Sequence, residues 1–322
     1  MTRCERHKAL RYGDEIIVDA SRLERAHRHL TSRIEARRFG SAATRQVIVG
    51  LVGRGIQASR TPRMHELEGQ RIGFPYAYEL IDFDALGLDD SDLPDILELA
   101  QALGFVGLNV TYPFKQAVIP LLEHLSPEAD GIGAVNTVVL GQGQRVGHNT
   151  DAWGFAESFR EGLPGVDLGH VAQFGAGGAG AAVSHALLTL GVERLTICDT
   201  EADRAQTLAQ RLSQRFGDIV SFRTDSSGAL AGVAGIVNTT PVGMDKFPGL
   251  PFDARLLQPD LWVAEVIYFP PETALLQQAR ALGCRTLAGM GMAVYQAVKA
   301  FELFTGIAPD RSAMTAHFHA AA

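Results

Sequence analysis

The chain has 322 residues, of which 36 are acidic and 29 are basic, so its formal net charge is −7. Its length and ordinary globular composition favour two domains over one compact core. The negative charge excludes a general attraction to nucleic acid, and the apolar stretches are too short to span a membrane. The basic N-terminus is not followed by the apolar segment of a secretory signal, so we expect a cytoplasmic protein whose partner is a small molecule.

The three cysteines, Cys4, Cys198 and Cys284, are far apart and include no Cys-x-x-Cys pair. Their odd number and wide spacing argue against a disulfide framework and against a structural zinc site. We therefore predict idle thiols and no bound metal.

Residues 1–45 form an arginine-rich N-terminal extension in which Leu23, Ala26, Leu30 and Ile34 recur at helical spacing. This pattern predicts an additional surface helix. A mitochondrial targeting segment is disfavoured because such peptides avoid acidic residues. The acidic residues of the extension are Glu5, Asp14, Glu15, Asp19, Glu24 and Glu35. We expect no catalytic role for this extension.

From residue 46 onward, strand-like and helix-like segments alternate, as they do in a parallel sheet covered by helices. The predicted elements are strands at 47–52, 76–83 and 106–110, helices beginning at Thr61 and capped by Ser91, and a hairpin at 134–146. A hairpin within such a series makes the first sheet mixed. We assign residues 46–151 to this first domain.

A second alternating series follows a connecting helix at 153–162, and we assign residues 152–287 to a second domain of the Rossmann type. An apolar helix at 291–304 follows, and residues 288–322 are predicted to pack back across the cleft between the domains. The expected fold class is therefore α/β, with an N-terminal mixed-sheet domain and a C-terminal dinucleotide-binding domain.

A glycine-rich turn connects a predicted strand to a predicted helix in the second domain. The strand at 171–174 runs into Gly175, Gly177, Gly178 and Ala179, and an apolar helix follows. Glycines let a backbone approach a pyrophosphate, whose charge then lies at the positive end of the helix dipole. The order of strand, loop and helix predicts a dinucleotide site, with a glycine-rich turn in a nucleotide-free domain as the alternative.

Asp199 ends the next predicted strand, 19 residues after Gly180. An acid at this position binds the hydroxyls of the adenosine ribose and would repel a 2'-phosphate. NAD is therefore favoured as the cofactor and NADP is disfavoured. Arg204 is the opposing signal, because an arginine near that ribose can pair with a phosphate; it can equally stack on adenine or face solvent.

Residues 109–115 leave a strand and enter a helix, for which Thr111 is the predicted N-cap. Lys115 then lies in the first turn, where its charge opposes the helix dipole. Such a placement suits a role in proton transfer, whereas a solvated surface lysine is the structural alternative.

Asp151 follows the predicted hairpin and starts the connecting helix, so a helix N-cap is the structural explanation for it. If it shares a cleft with Lys115, the two groups can hold a substrate hydroxyl and take its proton while a cofactor takes the hydride. His65 and His148 are further titratable candidates, for which we favour structural roles.

With these motifs the chain resembles the shikimate dehydrogenase family, and more closely its quinate/shikimate dehydrogenase branch. The resemblance spans almost everything after the N-terminal extension. The segments that carry it are Gly50-Leu51-Val52-Gly53, Ser59-Arg60-Thr61-Pro62 with Met64 and His65, residues 109–115 and 133–137, Asn149-Thr150-Asp151, the glycine-rich turn, and residues 289–296.

The resemblance implies that Lys115 and Asp151 form a catalytic pair for the reversible oxidation, by NAD, of the C3 hydroxyl of quinate or shikimate. It implies a substrate site in which Ser59 and Thr61 bind the carboxylate. Its further members are Thr111, Asn136 and Gln296, which hold ring hydroxyls, and Tyr268, which lies near the substrate. Around the nicotinamide half of the cofactor it places Pro241, Met244, Val266 and Gly289.

Two segments depart from the usual family pattern. Cys198-Asp199-Thr200 stands where ordinary members carry Asn-Arg-Thr, so the arginine that would bind an NADP phosphate is absent from that place. Ala58-Ser59-Arg60-Thr61 replaces the usual His-Ser-x-Ser. Two other functions stay open: a dehydrogenase for another shikimate relative such as aminoshikimate, and a non-catalytic NAD-responsive binding module. A homodimer is left open as the assembly.

Overall fold

The computed structural model describes residues 20–37, 46–73, 75–141 and 143–320, which form two sheets with helices packed against them. The rest of the N-terminal extension, including Cys4, lies outside the described residues. In the described ranges, no helix has the length and apolar character needed to cross a membrane.

The first sheet is mixed. Its strands are β1 (Val47–Gly53), β2 (Tyr76–Asp82), β3 (Gly107–Val110), β4 (His124–Leu125), β5 (Thr137–Gly141) and β6 (Gln144–His148). They lie in the order β2-β1-β3-β5-β6-β4. β1 runs parallel to β2 and β3, whereas β5 is antiparallel to both β3 and β6. The predicted hairpin is therefore the element that makes this sheet mixed.

Six helices accompany this sheet: α1 (Ala20–Ala36), α2 (Thr61–Arg71), α3 (Phe83–Leu86), α4 (Leu93–Ala102), α5 (Phe114–Ala117) and α6 (Pro127–Ile132). The predicted cap at Ser91 is wrong. Asp89 and Asp92 instead form a reciprocal capping box around a short 3-10 turn, and α4 begins directly after it. The carboxylates form this box because they accept hydrogen bonds from backbone amides that the turn leaves unpaired.

Helix α1 belongs to the core of the first sheet. Ala26, Leu30 and Ile34 are buried together with apolar residues of β1, β2 and α4, so the predicted apolar face is confirmed. Glu79 of β2 is fully buried beneath this helix, where it pairs with Arg33 and with Arg37, whose Nε lies 3.0 Å from Oε1. The helix thus supplies both apolar contacts and the positive charge for a buried carboxylate.

The second sheet is parallel throughout. Its strands are β7 (Val171–Phe174), β8 (Leu195–Cys198), β9 (Val220–Arg223), β10 (Gly235–Asn238), β11 (Trp262–Glu265) and β12 (Arg285–Leu287), in the order β12-β11-β10-β7-β8-β9. The crossover helices are α8 (Gly178–Thr189), α9 (Ala202–Phe216), α10 (Ser226–Ala229) and α11 (Ala274–Ala281). The order reverses direction at β7, and ligands of such sheets bind beyond the carboxyl ends of the strands at this switch point.

Three helices join the two halves: α7 (Thr150–Gly162), α12 (Met290–Thr305) and α13 (Arg311–Ala320). Helix α7 packs closely on α12 at Gly154. A Cβ atom at this position would lie only 2.6 Å from the backbone nitrogen of Gln296, so the contact requires glycine. Helix α12 buries Val294 and Phe301 against the face of the first sheet that carries Tyr76 and Tyr78. The chain therefore returns from the second sheet to the first before it ends.

Candidate active site

Lys115 lies on the short helix α5, which follows β3. The backbone nitrogen of Phe114 donates to the carbonyl oxygen of Thr111 at 2.8 Å, and the buried Phe114 ring packs 4.5 Å from that of Phe83. The predicted Thr111 cap is wrong, since Pro113 occupies the N-cap and no side chain caps the helix. Burial of Phe114 thus fixes the turn without a cap and directs its neighbour Lys115.

Asp151 is the second residue of α7. Asn149 caps this helix, because its side-chain oxygen accepts a hydrogen bond from the backbone nitrogen of Ala152 at 3.2 Å. The carboxylate of Asp151 is therefore not used as the cap, and its Oδ2 accepts a 2.6 Å hydrogen bond from Nζ of Lys115. The two side chains are 10% and 21% exposed, so neither is fully solvated.

A chain of buried polar side chains positions the start of α7. Asn136 accepts a 2.7 Å hydrogen bond from the backbone nitrogen of Thr150 and donates to its hydroxyl at 3.0 Å. Thr137 links Asn136 to Asn109, and Asn109 in turn accepts from the hydroxyl of Tyr78. The sequence pointed to Asn136 as a substrate group but gave no signal for Tyr78, whose contact exists only because β2 lies close to β3.

Ser59 lies in the β1–α2 loop and Thr61 is the first residue of α2, and both are partly exposed. Ser59 Oγ lies 3.4 Å from the backbone nitrogen of Thr61, and the backbone nitrogen of Ser59 donates to Ile56 at 2.9 Å. At the start of this loop, a Cβ atom on Gly53 would collide with the side chain of Thr111. Three of the predicted substrate groups therefore lie at the carboxyl ends of two neighbouring strands, β1 and β3.

The glycine-rich turn lies between β7 and α8, as the sequence predicts. Gly175 has φ +99°, a left-handed value that favours glycine, and Gly177 is the N-cap of α8. A Cβ atom on Gly178 would meet Cδ of Lys115 at 3.7 Å, with no other contact within 4 Å in the described chain, its own helix and chain neighbours aside. The turn therefore faces the Lys115–Asp151 pair, and the open space at Gly177, where a Cβ atom would meet nothing within 4 Å in the described chain, fits the close approach of a dinucleotide phosphate.

Asp199 lies against the same turn. Its Oδ2 accepts a hydrogen bond from the backbone nitrogen of Ala176 at 2.8 Å, and its Oδ1 accepts from that of Glu201 at 2.9 Å. Arg204 is exposed and pairs with Glu201 at 2.8 Å. The acid is thus held at the glycine-rich turn, while the hydrogen bond of the arginine goes to Glu201, at the start of its own helix.

The residues predicted around the nicotinamide lie on three segments: the loop after β10, the residue after β11 and the N-cap of α12. Gly289 packs so closely on Val266 that a Cβ atom there would collide with the Val266 carbonyl oxygen. Pro241 and Met244 are exposed on the loop that follows β10. Glu265, which the sequence analysis missed, holds the first two of these segments: its buried carboxylate accepts from Asn238 at 3.0 Å and from the backbone nitrogen of Val266 at 3.0 Å. Burial raises the pKa of Glu265 to about 7.

Tyr268 follows β11 in the second half of the chain, and Gln296 lies on α12, the helix that packs on the first sheet. Tyr268 is 47% exposed, and its ring meets the edge of Phe318 of α13 at 5.9 Å. The guanidinium of Arg60 lies over the same Phe318 ring at 5.5 Å, so Tyr268 stands across from the loop that carries Ser59. Gln296 is partly buried, and its amide donates to the Ala293 carbonyl oxygen of its own helix at 3.0 Å.

The chain matches two family models. One, described as the shikimate dehydrogenase substrate binding domain, covers residues 51–138, and the other, the shikimate 5'-dehydrogenase C-terminal domain, covers residues 289–317. A shikimate dehydrogenase (NADP(+)) of Streptomyces avermitilis is 53% identical over 272 residues, which cover 84% of this chain and 94% of that protein. A quinate/shikimate dehydrogenase (NAD(+)) of Corynebacterium efficiens is 48% identical over 276 residues, 84% of this chain and 97% of that protein.

Solved structures of quinate and shikimate dehydrogenases have the same fold. Quinate dehydrogenase from Corynebacterium glutamicum in complex with NAD superposes with a TM-score of 0.81 at 46% identity, covering 85% of this chain and 99% of that one. Similarity of this extent in sequence and in fold, over nearly the whole length of the relatives, establishes kinship. The chain belongs to the shikimate dehydrogenase family.

Proposed function

We propose that the protein is an NAD-dependent quinate/shikimate dehydrogenase, which reversibly oxidises the C3 hydroxyl to give 3-dehydroquinate or 3-dehydroshikimate. The observation that carries this proposal is the 2.6 Å contact between Lys115 and Asp151, placed directly opposite the glycine-rich turn. A proton-transfer pair and a dinucleotide site that face each other are what the oxidation of an alcohol requires.

The Lys115–Asp151 pair would handle the proton. An ammonium and a carboxylate in hydrogen-bond contact can bind a substrate hydroxyl between them, and the pair can accept its proton as the C–O bond gains double-bond character. NAD, when bound, supplies the hydride acceptor. The partial burial of both side chains limits competition from water for that hydroxyl.

The substrate groups divide by chemistry. Ser59 and Thr61 offer hydroxyls to the carboxylate, while Thr111, Asn136 and Gln296 offer hydroxyl and amide groups to the ring hydroxyls, with Tyr268 at the rim. Asn136 already bonds to Thr150 through both ends of its amide, and its oxygen also accepts from Thr137, so it would donate the second N–H of Nδ2 to the substrate and fix the position of Asp151 at the same time.

The cofactor preference is proposed from Asp199. Its carboxylate lies at the glycine-rich turn, where it can accept from ribose hydroxyls and would repel a 2'-phosphate. The relative from Streptomyces avermitilis is named for NADP and the two Corynebacterium proteins for NAD, so relatives of similar identity differ in this property. We assign Gly175, Gly177, Gly178 and Ala179 to the pyrophosphate, and Pro241, Met244, Val266 and Gly289 to the nicotinamide side.

We further propose that residues 46–151 form the substrate unit, that residues 152–287 form the NAD unit, and that residues 288–322 pack back across the cleft between them. The returning contact of α12 on the first sheet supports this division. We place the reaction in the cytoplasm, with a small cyclic hydroxy acid as the partner and neither nucleic acid nor membrane involved.

The test is a spectrophotometric assay of the purified full chain. With quinate or shikimate and NAD the wild type should accumulate NADH, and Lys115→Ala should lose about 10²- to 10⁴-fold in kcat while its NAD affinity stays within about twofold. Lys299→Ala, which removes a lysine paired with Glu302 on α12, is the matched control and should keep wild-type turnover. A wild type that is silent with quinate, shikimate and aminoshikimate, but still binds NAD, would instead indicate a non-catalytic binding module.

A further inference from the structure

Asp82 ends the edge strand β2 and has no place in the proposed chemistry, yet it is 2% exposed. Its two carboxylate oxygens accept hydrogen bonds from four donors. Oδ1 accepts from the backbone nitrogens of Gly55 at 3.0 Å and Asp84 at 3.1 Å, and Oδ2 accepts from the backbone nitrogen of Ile56 at 3.1 Å and from the Gln57 side chain at 2.9 Å. These hydrogen bonds lower the pKa of Asp82 and keep it ionised.

Three of these donors belong to consecutive residues of the β1–α2 loop. A single carboxylate therefore fixes the path of the loop where it leaves the sheet, including Gly55, whose φ of +64° favours glycine. The loop continues directly into the groups proposed to bind the substrate carboxylate: the Ile56 carbonyl oxygen accepts from the backbone nitrogen of Ser59 at 2.9 Å, and Ser59 Oγ lies 3.4 Å from the backbone nitrogen of Thr61.

We propose that Asp82 is a positioning residue for recognition of the substrate's carboxylate, acting through Ile56 on Ser59 and Thr61. This inference rests on the proposed function and deepens it. The ends of the loop have attachments of their own: Arg54 pairs with Asp84 at 2.6 Å and with Asp90 at 2.7 Å, and the guanidinium of Arg60 lies over the Phe318 ring at 5.5 Å. Asp82 is the group that reaches the middle of the loop.

The role predicts a specific kinetic signature. Lys115 and Asp151 lie on α5 and α7, to which Asp82 makes no hydrogen bond in the described chain, so the proton-transfer geometry should survive its loss. The NAD site lies on the other sheet and should also be unaffected. Loss of loop order should therefore weaken binding of the acid much more than it slows the bound complex or weakens NAD.

The experiment compares Asp82→Asn with Glu98→Gln in steady-state kinetics of the full chain. Asparagine keeps the shape but presents an amide donor to backbone nitrogens, so KM for quinate should rise about tenfold or more, the scale of losing a charge-assisted hydrogen bond. KM for NAD should stay within about twofold, and kcat should change by less than about threefold. Glu98→Gln changes an exposed carboxylate on α4 that makes no hydrogen bond or ion pair to the loop in the described chain, so it should behave as the wild type.

Gln57→Ala provides a second variant if Asp82→Asn does not fold, because it removes one of the four donors from an exposed position. It should raise KM for quinate about two- to fivefold and leave KM for NAD unchanged. The proposal is overturned if a folded Asp82→Asn, or else Gln57→Ala, keeps the wild-type KM for quinate, or if KM for quinate and KM for NAD rise together. Absence of turnover in the wild type would remove the proposed function itself, and this inference with it.

Discussion

Nζ of Lys115 lies 2.6 Å from Oδ2 of Asp151, and the two residues enter the contact from different helices, α5 and α7. Their positions are fixed independently, one by the burial of Phe114 and the other by the Asn149 cap. The pair is therefore assembled by the fold and not by neighbouring sequence, and it acts as one unit in the proposed mechanism.

Because the two groups act together, their substitutions should not be additive. Lys115→Ala and Asp151→Asn should each lower kcat about 10²- to 10⁴-fold, and the double variant should lose little more than the worse single variant. Single-turnover rates of NADH formation measure this directly. If the losses multiplied, the two residues would be acting in separate steps.

Cofactor preference should change with the charge of Asp199. Asp199→Asn keeps an acceptor near the backbone nitrogen of Ala176 but removes the negative charge that repels a 2'-phosphate. We expect kcat/KM with NADP to rise about tenfold and kcat/KM with NAD to fall. Asp203→Asn, on an exposed position of α9, is the control and should leave the ratio unchanged. An unchanged ratio in Asp199→Asn would assign the preference to other residues.

The N-terminal helix should contribute to stability and not to turnover. Leu30 of α1 is fully buried, so Leu30→Ala should lower the free energy of unfolding by about 2–5 kcal/mol, through lost burial and the cavity left behind. Arg28→Ala, on the exposed side of the same helix, should cost less than about 0.5 kcal/mol. Urea denaturation gives both values. Wild-type kcat is expected in each variant at a temperature where it stays folded, and a large loss of kcat would place the extension in the mechanism.

Stability should fall in mild acid because of His65. Full burial lowers the pKa of His65 to about 3, below its ordinary value of 6.5, so the unfolded chain binds a proton that the folded chain excludes. Above pH 6.5 the imidazole is neutral in both states and costs no stability. As the pH falls from 6.5 towards 3, proton binding by the unfolded chain lowers the free energy of unfolding by about 1.4 kcal/mol per pH unit. His65→Gln should show a correspondingly shallower pH dependence of the free energy of unfolding.

The control for this measurement is His27→Gln, which removes an exposed imidazole from α1 and is measured beside His65→Gln. Urea titrations at pH 7.5 and 5.5 separate the variants. Equal pH dependence in the wild type and His65→Gln would mean that the buried imidazole is protonated without cost.

The sequence predicted the parts of this molecule whose pattern is local. The alternation of apolar segments indicated both sheets, the hairpin, which was predicted at 134–146 and lies at 137–148, and the helical face of Leu30 and Ile34. The sequence also predicted the glycine-rich turn between β7 and α8 and the acid Asp199 after the next strand, because strand, turn, helix and acid follow one another within 30 residues. Lys115 and Asp151 were identified as candidates by helix position and by family resemblance.

Only the tertiary structure decided which side chains meet. It replaced the predicted caps at Ser91 and Thr111 with Asp89 and an uncapped turn, because capping depends on backbone geometry that residue type alone does not set. It also brought Asp82 to the loop of Ser59, and Arg33 to the buried Glu79, across many residues of intervening chain. Periodicity records which face of an element is buried, whereas a contact between two elements depends on strand order, register and packing, and these are properties of the whole folded chain.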